Sequence, residues 1–264
     1  MARSIEIQGE PLAVDVYEPV HRRGDAVLIH GYTGSKEDFA EVGPLLALRG
    51  YRVIAFDNRG QNESAHSERD DAYTIASLAC DATELADRFA LERPHLLGHS
   101  FGGMVAQRAV AMAPSRWASL TLFCSGPHGR VGLADLMETI DVLSVRSMQD
   151  AWDPRRDADA RRSVRYELLK RRWARSDPRS VVTHAKHLLT EPSIVKQVHA
   201  TGVPVHVVYG ENDDAWPLAM QDQMARDLQA PVSVIRDAGH CPNEDRPEET
   251  AAVIAEYWDN GDVT

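Results

Sequence analysis

The run HLLGHSFGGMVAQRAV, His95–Val110, holds at its centre the pentapeptide GHSFG, Gly98–Gly102, and the reading of that pentapeptide decides the fold. An apolar stretch, HLL, enters it and a helical pattern, GGMVAQRAV, leaves it. One reading is a glycine-rich loop that lets a strand turn into a helix. The other is a nucleophile elbow, a G-x-S-x-G turn that thrusts a serine hydroxyl beyond the end of a sheet. In the elbow both glycines have a steric reason, because Gly98 and Gly102 remove side chains that would collide with the turn. The helix that follows offers free backbone N–H groups and the positive end of its dipole, where a negative charge developing beside Ser100 would be stabilised. A lone pentapeptide is too common by chance to choose between these readings.

Outward from it, strands and helices alternate. VLIH (Val27–His30), YRVIAF (Tyr51–Phe56), HLLGH (His95–His99) and WASLTLFC (Trp117–Cys124) are continuous apolar runs. Such runs are expected of parallel strands covered by helices on both faces. FAEVGPLLALRG, TIASLACDATELADRFA and GGMVAQRAVAMAP between them read as helices, the first ending at Gly50 as at a C-cap. The alternation resumes with VPVHVVYG (Val203–Gly210), a helix near Leu218–Leu228, the strand PVSVIRD and a closing helix, RPEETAAVIAEYW. This pattern predicts an α/β fold with a mostly parallel, eight-stranded open sheet flanked by helices. The segments around Ile5–Gln8 and Leu12–Glu18 form its antiparallel edge. Between the sixth and seventh strands, from 127 to 199, the chain is Arg-rich and helical and holds no buried strand. An insertion at that point predicts a helical lid over the carboxyl ends of the strands, where ligands bind in such sheets. The expected division is a core of 1–126 and 200–264 with a lid of 127–199.

Composition narrows the function. The 264 residues are 43% hydrophobic, enough for a large core, and no apolar run approaches the roughly 20 residues that cross a bilayer. The N-terminus lacks the basic-then-apolar layout of a secretory signal, which predicts a cytoplasmic location and no membrane partner. Three cysteines, Cys80, Cys124 and Cys241, show neither CxxC nor Cys/His spacing. They read as reduced thiols, and no metal or other cofactor is expected. A net charge of −11 argues against nucleic acid as a partner. The substrate is then a small molecule, and the oligomeric state is not legible.

Four further motifs follow in order: HGYTG (His30–Gly34), DNRGQNES (Asp57–Ser64), GENDDAWP (Gly210–Pro217) and RDAGHCP (Arg236–Pro242). With GHSFG they make the chain resemble the α/β-hydrolase superfamily over nearly its whole length, the lid excepted. The resemblance implies a catalytic triad of Ser100, Asp213 and His240, in the Ser…Asp…His chain order of that fold. Serine alone is a poor nucleophile; His240 would take its proton and Asp213 would hold the imidazole tautomer. Asp214 is the rival acid, but the spacing to Gly210 and Pro217 favours Asp213. The resemblance also implies an oxyanion hole made by the backbone N–H groups of Tyr32 and Phe101. One departure is Asn62, where the D-x-R-G-x-G-x-S loop usually has glycine; asparagine best tolerates positive φ among the other residues.

Each element has a plainer alternative. An isolated histidine is more often a satisfied core or surface group, and an aspartate in a loop is usually a turn former or a cap. The three together, each at the end of an expected strand, favour the triad. His30 and His99 read as loop supports rather than reacting groups. His128, Met137, Trp152 and Trp216, with Trp173, are candidates for an apolar substrate pocket beneath the lid, although tryptophan is more often plain core. Between Arg146 and Lys186 there are twelve Lys/Arg against six Asp/Glu, a local excess of 6. Arg155, Arg156, Arg161, Arg162, Arg171 and Arg172 either attract an anionic substrate or, the favoured reading, pair with the acidic body.

These residues predict a cofactor-free serine hydrolase of ester-type acyl bonds. Alternatives on the same triad are C–C bond hydrolysis, lactone opening and perhydrolysis. A non-hydrolytic ligand-binding or biosynthetic protein is the reading from another class. Epoxide hydrolases and haloalkane dehalogenases, which the chain resembles, carry aspartate at the position of Ser100.

Overall fold

Strand β3 (Gly24–Ile29) is the pivot of the sheet: the chain leaves it on one side for β4 (Tyr51–Phe56) and crosses to the other for β5 (His95–His99). The computed structural model describes residues 3–129 and 164–261. Beyond β5 lie β6 (Leu120–Phe123), β7 (Val205–Gly210) and β8 (Val232–Ile235), all parallel. On the far side β2 (Glu10–Tyr17) runs antiparallel to β4, and β1 (Arg3–Ile7) antiparallel to β2. The order is β1-β2-β4-β3-β5-β6-β7-β8, an eight-stranded, mostly parallel sheet with the expected antiparallel edge. Ala26, Val27, Leu28 and Ile29 of β3 are wholly buried, as continuous apolar runs require when both faces are covered.

Helices follow the strands as the periodicity predicts, with one difference. The helix in FAEVGPLLALRG starts three residues later than its first residue: a 3₁₀ turn at Lys36–Phe39 comes first, and α1 begins at Val42 and ends at Leu48. The start of that turn is held by the carboxylate of Asp38 reaching back to the Ser35 amide at 3.2 Å. Helix α2 (Ile75–Arg88) is capped by Thr74, whose hydroxyl oxygen accepts from the Ser77 amide at 3.2 Å. It buries Ile75, Leu78, Ala79, Ala82, Leu85 and Ala86, the spacing of one helical face. Helix α3 (Phe101–Met112) packs on α2, and α1 packs on the closing helix, α9 (Pro247–Gly261).

Between β6 and β7 the described residues form α4 (Val164–Arg175), α5 (Pro178–Thr190) and α6 (Val195–Ala200). Helix α7 (Leu218–Leu228) and a short α8 (Pro242–Asp245) complete the set. Proline at the first position of α5 follows the cap Asp177, which accepts from the Arg179 amide at 2.8 Å and from the Tyr73 hydroxyl at 2.6 Å. That second bond ties α5 to the body. Arg171, Arg172 and Arg175 of α4 pair with Glu37, Asp38 and Glu63 of the body at 3.1, 2.6 and 2.7 Å. Arg155, Arg156, Arg161 and Arg162 lie outside the described residues, as do Met137 and Trp152.

The DNRGQNES loop is structural. Arg59 is fully buried and donates to the Asp81 carboxylate at 3.0 and 2.5 Å and to the Ile7 carbonyl at 3.2 Å. Asn62 sits at φ 46, the left-handed conformation its residue type tolerates. Its side-chain amide donates to Asp57 at 3.0 Å and Glu37 at 3.1 Å.

Candidate active site

Ser100 is the hinge between β5 and α3 and sits at φ 54, ψ −119, a conformation few non-glycine residues adopt. The turn closes so tightly that a Cβ on Gly98 would lie 2.3 Å from the Gly102 carbonyl oxygen. One on Gly102 would lie 2.4 Å from the Ile29 carbonyl oxygen. Three bonds hold the strained residue: its amide donates to the Phe123 carbonyl at 2.9 Å, and its carbonyl accepts from the Ser125 hydroxyl at 2.7 Å and the Gly103 amide at 2.9 Å. Sequence reading missed Ser125, because nothing in its spacing shows that β6 ends beside the elbow.

The structure brings Ser100, Asp213 and His240 together. They follow β5, β7 and β8 respectively, so parallel strands deliver all three to one edge of the sheet. His240 Nε2 lies 3.0 Å from Ser100 Oγ, and its Nδ1 lies 2.9 Å from Asp213 Oδ1. A carboxylate only accepts, so Nδ1 carries the proton and Nε2 presents its lone pair to the hydroxyl. Asp213 is buried and also accepts from the Ala215 amide and from Gln221 Nε2, both at 2.9 Å; its neighbour Asp214 is exposed. Burial raises the Asp213 carboxyl, but the hydrogen bond and charge of His240, with the Ala215 and Gln221 donors, outweigh it and hold the group below its ordinary value. Gln221 lies on the second turn of α7 and was not singled out by any motif.

Tyr32 follows β3 in the HGYTG loop and Phe101 opens α3. Among the described residues neither amide is spent on a loop, turn or cap bond, so both N–H groups are free to donate. The loop carrying Tyr32 is anchored by His30. That imidazole donates from Nδ1 to the Gly31 carbonyl at 2.8 Å and accepts at Nε2 from the Asn58 amide at 2.9 Å. Burial lowers its pKa, so it is a neutral brace.

The pocket candidates separate. Trp216 is buried beside His240, with ring centroids 6.4 Å apart. His128 instead borders a small recess with Arg108, Glu191 and Ile194, and its Nδ1 lies 2.5 Å from the Gly129 carbonyl. The Phe101 ring is wholly buried and stacks on His184 of α5. His99, Cys124 and His240 place ligand atoms within 4.8 Å of one another. Both nitrogens of His240 are already committed, however, and burial, with the nearby Asp213 charge, pushes the Cys124 thiol well above its ordinary value. The donor set therefore suits proton transfer better than a metal ion.

Residues 26–253 match the alpha/beta hydrolase family. The chain belongs to that family. This α/β-hydrolase is 39% identical over 114 residues to a putative carbamate hydrolase, RutD, of Variovorax paradoxus, a stretch that spans 42% of the chain but only 41% of that relative. It is 29% identical over 254 residues to a pimeloyl-(acyl-carrier protein) methyl ester esterase of Methylococcus capsulatus, covering 89% of the chain and 95% of the relative. The crystal structure of the enol-lactonase from Burkholderia xenovorans LB400 superposes with a TM-score of 0.81 at 19% identity, over 97% of this chain and 100% of that one. At that identity the likeness is one of fold. Among the described residues no helix is long and apolar enough to cross a membrane.

Proposed function

We propose that this α/β-hydrolase is a cofactor-free serine hydrolase that cleaves an ester-type acyl bond of a small molecule. The observation that carries this reading is one imidazole, His240, within 3.0 Å of Ser100 Oγ and 2.9 Å of the Asp213 carboxylate. Ser100 attacks the carbonyl carbon while His240 Nε2 takes its proton. Asp213 keeps the proton on Nδ1 and stabilises the imidazolium that forms. The Tyr32 and Phe101 amides receive the oxyanion, each worth on the order of 3 kcal/mol in the transition state, assisted by the N-terminus of α3. The proton passes to the leaving group, and a water deprotonated by His240 then cleaves the acyl-serine.

The segment 127–199, of which α4, α5 and most of α6 are described, serves in this reading as a lid, with Met137, Trp152 and Trp216 as candidates for the acyl pocket and His128 for the separate recess beside Arg108 and Glu191. The three free cysteines accord with action in the cytoplasm. The test is a fluorophosphonate probe read by intact mass. One adduct on the wild type, absent from Ser100→Ala, is expected together with turnover of p-nitrophenyl esters. No adduct and no turnover would remove the proposal. A chain-length ester series run beside a lactone and a diketone identifies the acyl group.

A further inference from the structure

His99 occupies the second position of GHSFG, and its ring lies between the His240 loop, the end of β6 and the loop at Gly31. The side chain is buried, 5% exposed, at the end of β5. Its Nε2 lies 2.8 Å from the main-chain carbonyl of His240. A carbonyl only accepts, so Nε2 carries the hydrogen. The ring centroid lies 5.0 Å from that of His240 and 5.3 Å from that of Phe123. On the opposite edge Nδ1 is buried with no hydrogen-bond partner among the described residues and faces the oxyanion loop. A Cβ on Gly31 would come 3.0 Å from Nδ1 and 3.1 Å from Ser100 Cβ, so a side chain there would press on both the ring and the nucleophile.

We infer that His99 is the positioning residue of the general base, fixing the distance from the His240 imidazole to Ser100 through its bond to the His240 carbonyl. His240 sits on a loop between β8 and α8, and its two ring bonds constrain the imidazole but not the backbone that carries it. Bonds at Ala238, Gly239 and Cys241 hold the loop on either side, and the His99 donor adds the constraint at His240 itself, from the residue adjacent to the nucleophile. Any shift of β5 therefore moves nucleophile and base together. A ring placed only to fill space would be a phenylalanine, which avoids burying an unpaired nitrogen. The imidazole is explained by its donor. Burial, with His240 close by, brings the His99 pKa down to about 4, so the neutral donor form prevails at neutral pH.

The inference rests on the serine-hydrolase reading, and one experiment separates the two. Fluorophosphonate labelling gives the number of competent sites from its endpoint and the reactivity of Ser100 from its rate. His99→Phe keeps the ring and loses the donor; His99→Gln keeps an amide donor and loses the ring. Per competent site, His99→Phe should label about tenfold more slowly than wild type, with kcat reduced in step and KM little changed. His99→Gln should recover most of that rate. If His99→Phe does not fold, His99→Met, close to glutamine in length but without a donor, takes its place and should be slow where glutamine is fast. A donor-less variant that labels at the wild-type rate per site overturns the inference, as does equal loss in the glutamine and donor-less variants. A wild type that never labels overturns the underlying reading instead.

Discussion

The imidazole of His184 lies against the ring of Phe101, with centroids 4.6 Å apart and planes inclined by 25°. A residue of α5, between β6 and β7, thus packs directly on the residue that follows Ser100. Gln61 donates its side-chain amide to His184 Nδ1 at 3.1 Å, which leaves the protonated Nε2 buried without a partner among the described residues. The segment between β6 and β7 is therefore coupled to the elbow through a ring that must stay neutral.

That neutrality makes stability depend on pH. Burial brings the pKa values of His95, His99 and His206 down to about 4 and that of His184 to about 3. In the unfolded chain each titrates near 6.5. Between these values the unfolded chain binds more protons, so stability is complete above about pH 6.5 and declines as the pH falls towards 4. Each such group steepens the decline by up to about 1.4 kcal/mol per pH unit. Urea midpoints measured at pH 7, 6 and 5 should fall steadily, and less steeply in His184→Gln. A midpoint unchanged from pH 7 to 5 would contradict this.

Ser100 holds its strain for geometry, at φ 54 and ψ −119. Ser100→Ala should lose at least about 10³-fold in turnover while melting close to wild type, because alanine is as strained as serine there. Ser100→Gly should be equally inactive yet more stable by roughly 1 kcal/mol, since glycine adopts positive φ freely. Calorimetry of the two variants decides it; equal melting temperatures would show that the turn stores no strain.

Two adjacent aspartates should behave oppositely. Asp213→Asn should reduce kcat by about 10³–10⁴-fold, because an amide that donates to His240 Nδ1 imposes the wrong tautomer. Asp214→Asn, on an exposed side chain, should leave steady-state kinetics unchanged. Gln221→Leu removes one donor to the Asp213 carboxylate and should lower kcat/KM by about tenfold. Comparable losses at positions 213 and 214 would reassign the acid.

Asn62 tests the loop that departs from the family pattern. Asn62→Gly keeps the φ 46 turn and loses the bonds to Asp57 and Glu37, whereas Asn62→Ala also strains the backbone. Alanine should destabilise by about 1–3 kcal/mol and glycine by less, with labelling rates per competent site unaltered in both. Denaturation midpoints order the pair.

Local pattern was enough for much of this. Continuous apolar runs such as VLIH and YRVIAF announce strands buried on both faces, and Gly98 and Gly102 announce a turn with no room for a side chain. The chain order of Ser100, Asp213 and His240 could be read because each follows a strand, and strand ends lie where periodicity stops. The helix expected over FAEVGPLLALRG begins only at Val42 for a reason no periodicity contains: a separate turn, held at its start by the Asp38 carboxylate, runs on to Phe39.

What the sequence determined by itself is thus the fold class and which residue types are proposed to react, since both depend on which face or turn a short segment can form. Which polar atoms meet was decided only in three dimensions. The meeting of Ser100 and His240, 140 positions apart, the bond from His99 to the His240 carbonyl and the Ser125 brace arise where strand ends converge, and the His184–Phe101 stack where α5 reaches the elbow. Those contacts depend on strand order and register, which no local spacing encodes. The same holds for GHSFG: its glycines and serine explain themselves, but its histidine takes its meaning from a carbonyl that the sheet brings to it.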